Sequence, residues 1–318
     1  MAAPAVRLSG VSRSFGAVTA LDGLDLVVPA QSIAVLLGPT GAGKTTAVRM
    51  ITGALDPHAG SVEVFGLDPA RRGEDVRRRC GVVSAKPALY DRLSGWDNLR
   101  YAAELYGLGR RADERIREAA ARFEIDHALD QQVGGYSTGM KTRLALSRSV
   151  LHQPDLLLFD EPTSGLDPES SYAVLDLIKQ MRRDGSTIVM CTHLLLEAEG
   201  LAEQIVVMED GANLVSGTPD ELSARYWPGV VLRLDAEDPA SLDRLASHPE
   251  VIEYRRDGTP FATATLHDHA SVADLVTELV ADGVRLTRVE PHQPSLEDLY
   301  FAVRAESRVA RDAQRTAS

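Results

Sequence analysis

The chain has only two cysteines, Cys80 and Cys191. They stand far apart, with no Cys-x-x-Cys pair and no zinc-type Cys/His spacing, which argues against a disulfide framework or a structural zinc site and fits a reducing cytosol. Long apolar runs are missing too. The longest, such as Ile33 to Leu37 and Leu156 to Phe159, fall far short of the roughly 20 residues a helix needs to cross a bilayer. Residues Met1 to Arg7 lack a positive segment followed by a sustained apolar stretch, so no secretory signal is expected. If the chain works at a membrane, another chain does the crossing. Positive charge is also in deficit: 34 Lys and Arg stand against 46 Asp and Glu, a formal net charge of −12. That balance repels a phosphate backbone, and no nucleic-acid partner is expected.

What is present is an ordinary globular composition. The 318 residues are 44% hydrophobic and 25% charged, enough for one full core and a smaller second domain. Residues 5–226 alternate short β-branched runs with helical patterns, as α/β folds do when strands are buried on both faces. Ser32 to Leu37 predicts a strand, a helix follows Lys44, and Gly53 is placed to end it. Over about 89–150 the β-branched runs vanish. Apolar residues recur there at helical spacing (Leu99, Ala102, Ala103, Tyr106, then Ile116, Ala119, Ala120, Phe123), which predicts a helical subdomain. Strands return at Leu156 to Phe159 and Thr187 to Cys191 around a helix from about Glu169 to Met181. Gln204 to Met208 and Asn213 to Val215, joined through Glu209-Asp210-Gly211, read as a hairpin or meander.

Trp227-Pro228-Gly229 marks a boundary. Residues 228–304 then read as strand (Val230 to Leu234), helix (Ala240 to Ala246), two strands (Val251 to Tyr254, Phe261 to Leu266), helix (Val272 to Ala281) and strand (Val284 to Val289). That order predicts a small α+β domain, ferredoxin-like βαββαβ. A short helix over Ser295 to Val303 is expected after it, and a disordered tail over 305–318, where small and charged residues show no apolar period.

Gly38-Pro39-Thr40-Gly41-Ala42-Gly43-Lys44-Thr45 matches the phosphate-loop (P-loop) pattern GxxxxGK[ST] in full, after a strand and before a helix. The glycines let the backbone curl so that N–H groups converge on phosphate oxygens at the positive end of the helix. Lys44 would reach the terminal phosphates, the Thr45 hydroxyl would ligate Mg²⁺, and Thr46 extends the binding segment. Leu156-Leu157-Leu158-Phe159-Asp160-Glu161 is an apolar strand ending in two carboxylates, delivered to the ligand-binding edge of a parallel sheet. Asp160 would hold Mg²⁺ through water. Glu161 would orient or deprotonate an attacking water.

Tyr136-Ser137-Thr138-Gly139-Met140 precedes that strand, Ser164-Gly165-Leu166-Asp167 follows it, and Thr192-His193 ends the next one. In this order the motifs resemble an ATP-binding cassette (ABC) ATPase over about residues 5–226, and "DEPTSGLDP" (Asp160 to Pro168) is a highly specific part of the match. The resemblance implies roles by position. Phe15 would stack on adenine, Ser137 and Gly139 would contact the γ-phosphate bound by an opposite subunit, Asp167 would communicate between the two sites, and His193 would sense the γ-phosphate. Glu161, His193 and Lys44 would be catalytic. "YSTGMKTRLALSRSVLHQPDLLLFDEPTSGLDP" and the closing Pro294 to Tyr300 further resemble ATPase subunits of bacterial drug and antibiotic exporters with separate membrane subunits.

What the resemblance implies is an ATP- and Mg²⁺-dependent ATPase at the cytoplasmic face of the cell membrane. It would pair head to tail with a second copy or a homologous cassette, and drive a separate membrane permease that exports a small amphipathic compound. Two other readings are a soluble ABC protein acting on ribosomes or DNA, and a weakly hydrolysing regulatory cassette. The first is opposed by the single cassette, the −12 charge and the lack of long heptad repeats. The second is motivated by a departure: the family's Gln after the strand Gly81-Val82-Val83 is replaced by Ala85, which has neither donor nor acceptor. The adjacent Lys86 would repel a metal, which leaves it a structural or docking role.

Overall fold

The computed structural model describes residues 3–256, 261–268, 270–292 and 294–316. The chain divides into two compact units, Met1–Gly217 and Thr218–Ser318.

In chain order the first unit contains β1 (Val6–Phe15), β2 (Val18–Val28), β3 (Ile33–Leu37), α1 (Lys44–Ile51), β4 (Ala59–Val64), α2 (Pro69–Arg78) and β5 (Cys80–Ser84). The helices α3 (Gly95–Leu105), α4 (Ala112–Arg122) and α5 (Thr138–Val150) follow. Next come β6 (Leu156–Asp160), α6 (Pro168–Arg183), β7 (Thr187–Thr192), α7 (Leu195–Ala198), β8 (Gln204–Glu209) and β9 (Ala212–Gly217). Six strands form one sheet in the order β5-β6-β7-β3-β8-β9, parallel except for the final hairpin. Every residue of β3, β6 and β7 is buried, which is why these strands read as unbroken apolar runs rather than alternating ones.

A second, antiparallel sheet has the order β2-β1-β4. Its Val6, Leu8, Leu24 and Val64 share a core with Leu36 of β3, Met50 of α1 and Leu158 of β6. Sequence periodicity did not assign these three strands. β1 breaks register against β2 between Leu8 and Ser14, and bulges of that kind scramble the two-residue alternation on which strand recognition rests. Leu99, Ala102 and Ala103 of α3 and Ile116, Ala119 and Ala120 of α4 share one buried apolar cluster. Tyr106 departs from the pattern: it is partly exposed and stacks on His152 with ring centroids 3.6 Å apart. Gly53 ends α1 as expected, with a φ of 64° and its N–H donating to Met50 O at 3.0 Å.

The second unit holds α8 (Pro219–Tyr226), β10 (Val230–Ala236), a 3₁₀ helix (Pro239–Ser247), β11 (Val251–Arg255), β12 (Phe261–Leu266), α9 (Ala270–Ala281), β13 (Leu286–Pro291) and α10 (Leu296–Thr316). Its strands pair antiparallel in the order β11-β12-β10-β13. Leu232, Leu234, Ala262, Ala264, Leu275 and Leu279 form its core.

Three differences from the sequence reading stand out. The first helix of the βαββαβ order is 3₁₀, opening at Pro239 with Asp238 accepting from Ala240 N at 3.1 Å. The chain divides before α8 rather than at Trp227, and within the second unit the Tyr226 hydroxyl at the end of α8 donates to Glu306 of α10 at 2.6 Å. The expected tail is helical as far as Thr316, because 305–316 is rich in Ala and Arg, strong helix formers even without an apolar stripe. Residues 317 and 318 lie outside the described residues.

Candidate active site

The P-loop runs from the end of β3 into α1. A Cβ at Gly38 would stand 2.3 Å from Met208 O, so no side chain fits there. Gly43 is the N-cap of α1 at φ 99°, a left-handed conformation that favours glycine, and it makes no side-chain cap bond. The first N–H groups of α1 are thereby left to an external acceptor. Thr40 to Thr46 line an open cleft of about 360 Å³, together with Glu161 and His193.

Buried Lys44 donates from Nζ to Gly38 O at 2.6 Å and Pro39 O at 3.1 Å, and stands 3.5 Å from Glu161 Oε1. Thr45 Oγ1 donates to Asp160 Oδ2 at 2.7 Å. The other Glu161 oxygen, Oε2, lies 2.7 Å from His193 Nδ1. The carboxylates of two consecutive residues thus serve different partners, because β6 ends between them. Asp160 closes the strand, whereas Glu161 has a φ of 55°, a conformation costing a non-glycine residue about 1–3 kcal/mol. Two backbone bonds hold it there: Glu161 N donates to Cys191 O at 2.9 Å, and Ser164 N donates to Glu161 O at 3.1 Å. Burial pushes the Cys191 thiol well above its ordinary pKa, and the neighbouring Asp160 charge adds to the effect. That thiol is packing rather than a nucleophile.

The cleft excludes some expected residues and adds others. Phe15 does not line it. This ring ends β1, is 44% exposed, and has the Arg13 guanidinium 5.2 Å from its centroid. Its cross-strand partner Val18 does line the cleft, with Thr19, Ala20 and Ser164. Sequence reading missed these four as site residues, although Ser164 lies in the quoted Ser-Gly-Leu-Asp segment. Ser137, Gly139 and Asp167 also lie outside the lining. Ser137 caps α5 by accepting from Met140 N at 3.2 Å. Asp167 caps α6 by accepting from Ser170 N at 2.9 Å and Ser170 Oγ at 2.6 Å, which holds its carboxyl below the usual range. A Cβ on Gly139 would lie 3.5 Å from Ser170 Oγ, so the starts of α5 and α6 adjoin. Ala85 is exposed just past β5, whose last residue, Ser84, pairs with Asp160.

Comparison with known proteins extends the geometry. The ABC transporter family model matches residues 21–164. The daunorubicin/doxorubicin resistance ATP-binding protein of Streptomyces peucetius is 35% identical over 94% of this chain and 92% of its own length. A Nod factor export ATP-binding protein of Rhizobium sp. (strain N33) is 33% identical over 95% of this chain and 97% of its own. A solved ATP-binding subunit of an ABC transporter superposes with a TM-score of 0.64 at 28% identity, covering 70% of this chain and 92% of that one. Likeness at this level, running nearly end to end in both sequences, places the chain in the ABC transporter family among its ATP-binding proteins.

Proposed function

We propose that this ATPase binds MgATP in the Lys44 cleft and hydrolyses it with Glu161 as the base, and that the cycle drives a separate membrane permease exporting a small amphipathic compound. The observation that carries the catalytic reading is the Glu161 carboxylate held between Lys44 Nζ at 3.5 Å and His193 Nδ1 at 2.7 Å, at the lip of a P-loop. Lys44 and the first N–H groups of α1 bind the phosphates, Glu161 takes a proton from the attacking water, and His193 orients that carboxylate. Phe15 supplies a π face for adenine from the edge of the site.

The donor set suits Mg²⁺. Thr45 Oγ1 and Asp160 Oδ2, 2.7 Å apart, are hard oxygens, and among the described residues no group of three His, Cys, Asp or Glu could hold a metal ion. Mg²⁺ commonly takes one or two protein oxygens and completes its shell with phosphates and water. Bound there, it supplies neutralising charge for the phosphate oxygens.

The dimer reading rests on Ser137, Gly139 and Asp167, which lie outside their own chain's cleft and are proposed to face the nucleotide of a second copy or a homologous cassette. ATP would then favour the closed pair only by its greater affinity for that state. The permease reading rests on the relatives, named for drug resistance and for export. Among the described residues no helix is long and apolar enough to cross a membrane. The cassette would therefore sit on the cytoplasmic face through its partner. Ala85 favours a slow basal rate over a wholly regulatory cassette, since Glu161 and His193 are both in place. Replacing Glu161 with Gln tests the reading: ATP binding should persist while turnover is lost.

A further inference from the structure

We propose that Glu197 is a positioning residue for hydrolysis, a buried carboxylate that fixes the spacing between the Glu161 segment and the His193 strand end. This inference rests on the reading of Glu161 as base. Glu197 lies in α7, which begins two residues after His193, and its side chain is 6% exposed. Its Oε1 accepts from the hydroxyl of Thr163, two residues after Glu161, and its Oε2 accepts from Thr192 Oγ1 at 2.8 Å, one residue before His193. Thr192 Oγ1 in turn accepts from Leu194 N at 3.0 Å, so His193 sits inside a closed turn.

A buried carboxylate is costly unless both oxygens are satisfied. Here both are, by hydroxyls from the two segments that carry the catalytic pair. All three side chains are buried, and none lines the cleft. Glu197 therefore acts through Glu161 and His193 rather than on the nucleotide. Its bonds set where the Glu161 carboxylate meets His193, and a misplacement of about 1 Å in such a pair costs on the order of a hundredfold in rate. Gln at this position keeps one acceptor and gains a donor that either hydroxyl can accept from, so it preserves the bridge without the charge.

The test is single-turnover ATP hydrolysis and ATP affinity of the full chain for the wild type, Glu197→Ala, Glu197→Gln, Glu161→Gln and the double variant Glu161→Gln/Glu197→Ala. The expected result is a ten- to hundredfold loss of rate in Glu197→Ala with ATP affinity within about twofold, substantial rescue in Glu197→Gln, and no further loss when Glu197→Ala is added to Glu161→Gln. Thr163→Val and Thr192→Val each remove one hydroxyl and should show the same split. They decide the matter if Glu197→Ala does not fold. Wild-type hydrolysis in a folded Glu197→Ala, or in both Thr variants, overturns the inference, as does a rate loss matched by an equal loss of ATP affinity. Wild-type hydrolysis in Glu161→Gln overturns the underlying reading instead, whatever Glu197→Ala does.

Discussion

The start of α1 and the starts of α5 and α6 are built from the same parts, a short polar turn running into a helix, but they are finished differently. At α1 the cap is Gly43, with no side-chain bond to the backbone, and three side chains of the same chain, Lys44, Glu161 and His193, meet beside it. At α5 and α6 the caps are Ser137 and Asp167, whose side chains satisfy the backbone of their own helices. A helix start without a side-chain cap leaves its first N–H groups open to an acceptor from outside the chain, whereas a capped one satisfies part of that need itself. Ser137 still has something to offer outward. Its oxygen accepts from Met140 N, and its hydroxyl proton remains available to an anion. On the proposed reading, the cleft at the start of α1 is completed by the starts of α5 and α6 of a second chain.

The largest expected effect breaks the first side of this comparison. Glu161→Gln should lower turnover by about 10²- to 10⁴-fold, the usual reach of general-base catalysis, with ATP affinity nearly unchanged in a fluorescent-nucleotide titration. The second side is tested by Ser137→Ala. If that hydroxyl serves the γ-phosphate of a partner-bound nucleotide, steady-state turnover falls by about ten- to a hundredfold, the worth of one hydrogen bond to a charged group. ATP affinity of the lone chain stays put. Thermal unfolding would record the separate loss of the α5 cap, worth about 1 kcal/mol. Weakened ATP binding by the monomer would instead place Ser137 in the cleft of its own chain.

Smaller effects sharpen the picture around Glu161 and His193. Ala85→Gln restores a polar group one residue past Ser84, the partner of Asp160 in the sheet, and is expected to raise kcat by about tenfold or lower the Mg²⁺ needed. Superimposable ATPase curves across a Mg²⁺ titration would make Ala85 a docking-surface change. The smallest expected signal is a null one, in the thiols. Burial pushes Cys80 up to about 12 and Cys191 well above its ordinary value. Raised values keep both thiols protonated at pH 9, where an unfolded cysteine is largely thiolate. Native protein should therefore resist a maleimide or disulfide reagent at pH 9 and react fully once unfolded.

Much of this site was legible in the sequence because its parts are local. The P-loop, the strand ending in Asp160-Glu161 and the lone His193 each declare themselves within a few residues, and a parallel sheet brings strand ends to one edge. What was not legible depends on long-range pairing. Val18, Thr19 and Ala20 reach the cleft from β2, whose partner β1 loses its two-residue rhythm through bulges. Glu197 carries no motif in isolation, and its role is visible only when Thr163 and Thr192 are seen to converge on it. In the second unit the strand order followed from apolar runs, while the 3₁₀ helix over Pro239–Ser247 and the length of α10 did not, since both are set by backbone preference rather than by apolar spacing.

The central claim is that the cleft of one chain is completed by the Ser137 surface of another, and the most direct measurement is the mass of Glu161→Gln by static light scattering with and without saturating MgATP. The account predicts a monomer that doubles in mass when MgATP is added, and a Glu161→Gln/Ser137→Ala double variant that binds ATP but stays monomeric. A Glu161→Gln protein that binds MgATP tightly and remains a monomer at every concentration reached would contradict it.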